Sequence, residues 1–102
     1  MSTLQNQPCV YMLRCADGSL YTGWTNDFPR RLAAHASGKG CKYTRSRLPV
    51  TPVFLEVLPD RSAALKREAA IKKMRPAGKQ ALIDSSDNRI GEYPELRGTA
   101  VD

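Results

Sequence analysis

A few side chains in this 102-residue chain stand where a purely structural reading leaves them unexplained. The sharpest case is Glu68. At about 100° per residue along the segment after Asp60, Glu68 falls inside the arc of Ala64, Leu65 and Ile71, while Lys66, Arg67 and Lys73 take the more exposed directions. A carboxylate on an apolar stripe is costly unless a cation pairs with it or it holds a metal ion. A salt bridge to one of the many neighbouring cations is the structural alternative. Tyr11 and Tyr21 either fill half-buried strand positions with hydrogen-bonded tips or offer two phenols to chemistry. Arg31 and His35, four apart, share one helical face, an arrangement that a solvated surface also produces. Taken together, these residues cover the needs of phosphodiester hydrolysis: a base for water, a cation against the phosphoryl oxygens, and a carboxylate for a divalent metal. A phenol titrates near about pH 10 when unperturbed. It serves as a base near neutrality only if Arg31, a Glu68-bound metal or a nearby Lys lowers that value.

The elements that must position these groups are short. Residues 10–15 and 20–24 are rich in β-branched and aromatic side chains and are separated by Ala16, Asp17, Gly18 and Ser19, which predicts a hairpin. Its loop length decides the site. A three-residue loop of Ala16, Asp17 and Gly18, with Gly18 left-handed, sets Tyr11 opposite Gly23 and Leu13 opposite Tyr21, so both phenols share a face. A two-residue Asp17-Gly18 turn would separate them. Asp27 or Asn26 can cap a helix with Pro29 in its first turn, carrying Arg31 and His35 to a stop near Gly38. Residues 38–52 read as a basic loop, residues 53–58 as a third strand, and Asp60 or Ser62 as the start of a second helix to about Met74. Arg75, Pro76, Ala77 and Gly78 break that helix, and a short third helix carries residues 79–83. The order β-β-α-β-α-α gives an α/β (α+β) class: a small three-stranded sheet, antiparallel at least in the hairpin, with helices packed on it.

Composition narrows the partners. Residues 1–83 hold 14 Lys and Arg against 5 Asp and Glu, a net of +9, whereas residues 84–102 hold 2 against 5, a net of −3. Residues 28–55 carry Arg30, Arg31, Lys39, Lys42, Arg45 and Arg47 with no carboxylate, a candidate footprint for a polyanion. Residues 9–83 form the expected domain, and 84–102 a polar, acidic tail expected to be poorly ordered or loosely docked. No run approaches the roughly 18 apolar residues of a membrane span, and the first residues lack the features of a signal peptide. Cys9, Cys15 and Cys41, with one His, form neither a CxxC pair nor a zinc quartet, and are expected to be reduced thiols of a cytoplasmic protein.

Cys9-Val10-Tyr11, nine further residues, then Tyr21-Thr22-Gly23 resemble the paired motif of the GIY-YIG nuclease superfamily. The resemblance continues through Asn26-Asp27, Arg30-Arg31-Leu32, His35, Gly38-Lys39-Gly40, Lys42-Tyr43-Thr44, Asp60-Arg61-Ser62 and Ala64-Leu65-Lys66-Arg67-Glu68 to Ile71-Lys72-Lys73. It is strongest to the small stand-alone bacterial members of the UPF0213-like kind. The resemblance implies a three-stranded antiparallel sheet flanked by helices and a metal-dependent nuclease acting on DNA, with RNA as a further possible substrate. It implies Tyr11 as the water-activating base, alone or shared with Tyr21, which otherwise positions water or phosphate. Arg31 would hold the scissile phosphate, His35 would support Tyr11 or assist proton transfer, and Glu68 would bind Mg²⁺ or Mn²⁺. Lys39, Lys42, Tyr43, Arg45, Arg47 and Lys72 would hold the nucleic acid, with Tyr43 as a stacking platform. So small a basic body favours a structure-specific or single-stranded substrate, and the resemblance implies a link to DNA repair or recombination. The alternative is a catalytically weak nucleic-acid-binding module that recruits a protein partner. The sequence departs from the motif at Cys9, Val10 and Thr22, and Lys79 and Gln80 occupy roughly the place where many members carry a late Asn.

Overall fold

The computed structural model describes residues 4–97. Strand β1 (Gln5–Arg14) runs through the middle of a three-stranded antiparallel sheet, between β2 (Leu20–Asp27) and β3 (Thr51–Val57). The β1–β2 loop has three residues: Cys15 N–H donates to the Ser19 carbonyl and Gly18 N–H to the Cys15 carbonyl, each at 2.9 Å, with Gly18 at φ +86°. Only glycine adopts that left-handed position without strain. Tyr11 therefore lies opposite Gly23 and Leu13 opposite Tyr21. The two phenols project to the same face.

That face packs on α1 (Phe28–Ala36). Cys9, Tyr11, Leu13, Phe28, Leu32, Val50 and Leu55 form its core. The opposite face joins Val10, Met12 and Phe54 to Ala64 and Ile71 of α3 (Arg61–Lys72), with Leu82 and Ile83 of α4 (Pro76–Ile83) against them. Asp27 caps α1, accepting from Arg30 N–H at 3.3 Å, and Asp60 caps α3, accepting from Ala63 N–H at 2.8 Å. Beyond Ala36, Gly38 at φ +84° lets its own N–H and that of Lys39 close on the carbonyls of His35 and Ala34. That turn aims the following chain back over the site.

Four expectations change. The basic loop of residues 38–52 contains a one-turn helix, α2 (Lys42–Arg45). It is held to the β1–β2 turn by Arg47, whose Nε lies 3.0 Å from Asp17 Oδ2 and whose carbonyl accepts from Ala16 N–H at 2.9 Å. The helix break falls at residues 73–75, and Pro76, Ala77 and Gly78 belong to the start of α4, because a proline in the first turn lacks only an N–H that has no intrahelical partner. Leu65 is 40% exposed, so the buried stripe of α3 is centred on Ala64 and Ile71.

The acidic tail also differs from expectation over its described part. The Asn88 amide accepts from Leu55 N–H at 3.1 Å and donates to the Val53 carbonyl at 2.7 Å, as a neighbouring strand would. It further bonds the Ile83 carbonyl and Ile90 N–H, while Arg89 N–H donates to the Leu55 carbonyl at 2.8 Å. Edge strand β3 is thereby paired. Ile90, in a 3-10 turn at Ile90–Glu92, is 5% exposed, and α5 (Pro94–Arg97) follows it. Residues 98–102 of the expected tail lie outside the described residues. Among the described residues no helix is long and apolar enough to cross a membrane.

Candidate active site

The site grows from the face of β1 and β2 that meets α1. Tyr11 sits across from Gly23, and a Cβ added at Gly23 would stand 2.6 Å from the Tyr11 hydroxyl. The glycine is what lets the ring lie over β2. Tyr11 Oη and His35 Nε2 are 2.9 Å apart, and His35 Nδ1 and Thr44 Oγ1 are 2.8 Å apart. All three side chains are buried, at 1%, 1% and 0% exposure. Gly40 gives the imidazole its space, since a Cβ there would overlap the ring at Nδ1. Tyr21, half-buried, lies with its ring centroid 5.2 Å from that of His35 and 6.3 Å from that of Tyr11. Sequence reasoning had placed Tyr11, Tyr21 and His35 as candidates, and the structure brings them together.

Charge surrounds this group unevenly. Burial raises the Tyr11 phenol far above its ordinary value, Tyr21 adds to the rise, and Arg31 opposes it. Burial also pushes Tyr21 up to about 12, with a hydrogen bond to Cys41 next in size and the Glu68 carboxylate contributing. His35 is pushed down to about 4 by burial and then by Arg31. At neutral pH the site therefore holds two protonated phenols and a neutral imidazole. The expected lowering of a phenol by Arg31 is present in direction but is outweighed by desolvation. Arg31 is exposed on α1 and opens, with Arg30, onto a polar cleft of about 510 Å³ beside Asn6, Asn26 and Asp27.

Glu68 comes from the helix on the opposite face, yet its charge reaches Tyr21 past β2, the edge strand that α3 contacts. Its side chain is 17% exposed and pairs with Lys72 at 3.3 Å, whose own side chain is 54% exposed. Among the described residues no three His, Cys, Asp or Glu side chains cluster into a full ligand set. A single hard carboxylate with one displaceable partner still fits Mg²⁺ or Mn²⁺, which retains several waters and takes one or two carboxylates plus phosphate oxygens.

The proposed nucleic-acid contacts divide. Lys39, Lys42 and Arg45 are exposed around α2 and make no ion pair among the described residues. Arg47 is engaged: besides Asp17 it bonds the Tyr43 carbonyl at 3.0 Å, and its guanidinium carbon lies 3.9 Å from the Tyr43 ring centroid. A base stacking on Tyr43 must share that ring with Arg47. Sequence reasoning missed Thr44, Gly40 and Asn88 as working residues. The first two stood inside the quoted motif segments as a buried hydroxyl and a side-chain-free position, and only the fold shows that both serve His35.

Residues 7–80 match the family described as the GIY-YIG catalytic domain. The chain belongs to that family. GIY-YIG domains are nuclease domains. The chain is 49% identical over 80 residues to a UPF0213 protein of Streptococcus sanguinis, covering 78% of this chain and 92% of that one. It is 52% identical over 82 residues to a UPF0213 protein of Syntrophus aciditrophicus, covering 79% and 94%. The solution NMR structure of the UPF0213 protein BH0048 from Bacillus halodurans has a TM-score of 0.55 and 38% identity, covering 88% of this chain and 96% of that one. The three-stranded antiparallel sheet with flanking helices is thus the GIY-YIG fold expected from the sequence.

Proposed function

We propose that this GIY-YIG chain is a divalent-metal-dependent nuclease that hydrolyses DNA phosphodiester bonds, on structured or single-stranded substrates in DNA repair or recombination. The observation that carries this reading is the convergence of Tyr11, Tyr21 and His35 on one face within reach of the Arg31 and Glu68 charges. Free thiols at Cys9, Cys15 and Cys41 suit a reducing cytoplasm.

Lys39, Lys42 and Arg45 hold the backbone without reading bases, and Arg31 binds the scissile phosphate. Tyr11 takes a proton from the attacking water while its own passes to His35 Nε2. The new P–O bond forms as the bond to the leaving oxygen breaks, and that oxygen is protonated from solvent. His35 is neutral and ready to accept, and a phosphate on Arg31 removes part of the repulsion that holds the imidazole low. Tyr21, more open than Tyr11, orients the water or the phosphate. Glu68, once released from Lys72, would hold Mg²⁺ or Mn²⁺, which would supply Lewis-acid stabilisation of phosphoryl charge.

The test uses labelled single-stranded, duplex, flap and four-way-junction DNA with Mg²⁺, Mn²⁺ or chelator, with Glu68→Ala run alongside. Metal-dependent cutting that is lost in Glu68→Ala supports the reading. Tight binding with no cutting of any substrate overturns it in favour of a recruiting module.

A further inference from the structure

We propose that Thr44 is a positioning residue that fixes the tautomer of His35, holding the proton on Nδ1 so that Nε2 presents a lone pair to Tyr11. The catalytic consequence rests on the nuclease reading above, whereas the tautomer does not. Tyr11, His35 and Thr44 are buried groups joined tip to tip. Tyr11 is 1% exposed, and His35 Nε2 at 2.9 Å is the hydrogen-bond partner its hydroxyl has among the described residues. A buried phenol that keeps its proton must donate it, because an unpaired buried hydroxyl is expensive. Nε2 is then the acceptor, and a neutral imidazole carries its proton on the other nitrogen.

The Nδ1–H faces Thr44 Oγ1 at 2.8 Å. The Thr44 hydroxyl in turn donates to the Cys41 carbonyl oxygen at 3.4 Å, and the Cys41 sulfur lies 3.5 Å from Oγ1. The polar hydrogens of Tyr11, His35 and Thr44 then each have an acceptor. The opposite direction, with Thr44 donating to Nδ1 and Nε2–H pointing at Tyr11, leaves the Tyr11 proton without one. Geometry supports the same assignment. The one turn of α2 carries Thr44 to the ring, and Gly40 supplies the space in which the ring lies. A flipped ring would lose both bonds. Threonine at 44 thus does for this imidazole what a carbonyl or carboxylate does for many catalytic histidines.

His35 is the one histidine of the chain, so both imidazole ¹⁵N signals in a uniformly labelled sample belong to it. Long-range ¹H–¹⁵N correlation at pH 7 is expected to show a protonated Nδ1 and an unprotonated Nε2. Thr44→Val, close in shape but without the hydroxyl, is expected to shift these signals toward the other tautomer, and Thr44→Ser to restore them. Wild-type protein with its proton on Nε2 overturns the proposal, as does a Thr44→Val spectrum identical to wild type. Should Thr44→Val fail to fold, the wild-type and Thr44→Ser spectra decide: a proton on Nε2 in the wild type refutes it, and one on Nδ1 in both supports it. On the preferred DNA, Thr44→Val is expected to lower kcat by about 10- to 100-fold with KM little changed, and Thr44→Ser to recover most of it. Absence of cleavage by the wild type would count against the nuclease reading and leave the tautomer result standing.

Discussion

Alternate residues of β1 serve two faces that are filled in different ways. On one, Val10, Met12, Phe54, Ala64 and Ile71 are all at 0% exposure and pack as a dry apolar layer under α3 and α4. Thr22 stands on this face at 4% exposure, and its Oγ1 is a buried side-chain polar atom with no hydrogen-bond partner. On the other, Tyr11, His35 and Thr44 are equally buried, but each polar tip meets another. A hydroxyl is therefore a cost on the first face and a connector on the second. The first face supplies cohesion and the second supplies orientation. Glu68 links them, since it rides on the helix of the apolar face while its charge reaches the Tyr21 phenol of the other.

Changes at the proposed catalytic residues should give the largest effects on cleavage. Glu68→Ala and Tyr11→Phe are each expected to slow DNA cleavage by about 10³-fold, with Tyr21→Phe costing less. Gel-shift binding should be nearly unaltered. A larger loss in Tyr21→Phe than in Tyr11→Phe would move the base to the more open phenol.

The buried imidazole makes the site face sensitive to pH in a way the apolar face is not. His35 stays neutral in the folded protein down to about pH 4, whereas in the unfolded chain it takes its proton near pH 6.5. The unfolded chain binds more protons between those values, so stability present above about pH 6.5 is lost as the pH falls toward about 4. The loss amounts to about 3 kcal/mol. Urea unfolding at a series of pH values should show it, and His35→Gln should remove that component. An equal pH slope in both proteins would contradict the assignment.

Met12→Ala, on the opposite face, should cost about 3 kcal/mol of stability at every pH. The His35 ¹⁵N signals should not move. If they did, the two faces would not be independent.

Asn88→Ala should cost about 2 kcal/mol in the same unfolding assay, because the Leu55 N–H and the Val53 carbonyl lose their partner. The smallest change is expected from Thr22→Val. Removing the unpaired hydroxyl should stabilise the protein by about 1 kcal/mol. A loss of stability instead would mean that Thr22 has a partner, and the contrast between the faces would weaken.

Tyr11, Tyr21, Arg31, His35 and Glu68 could all be singled out from residue types and spacing, whereas the hairpin register that joins the phenols stayed open between two turn lengths, and the structure takes the three-residue one. Leu65 shows where spacing fails: helical periodicity finds a stripe but not its edge, and the sheet covers Ala64 and Ile71 while leaving Leu65 in solvent. Arg47 looked like one more phosphate ligand because its acid, Asp17, lies thirty residues away. Asn88 was not read at all, since the backbone groups that it satisfies lie on β3, more than thirty positions earlier.

What the sequence determined by itself was whatever depends on near neighbours. A hairpin turn at residues 16–19, a cap at Asn26 or Asp27 and another at Asp60 or Ser62, the strand alternation and the helical pairing of Arg31 with His35 are set by sterics and hydrogen bonds within a few residues. What the tertiary structure decided was which proton each buried group holds and which cation is free. Desolvation and hydrogen-bond direction depend on everything packed around a side chain. The packing that encloses Tyr11 and His35 comes from β2, α1 and α2 together.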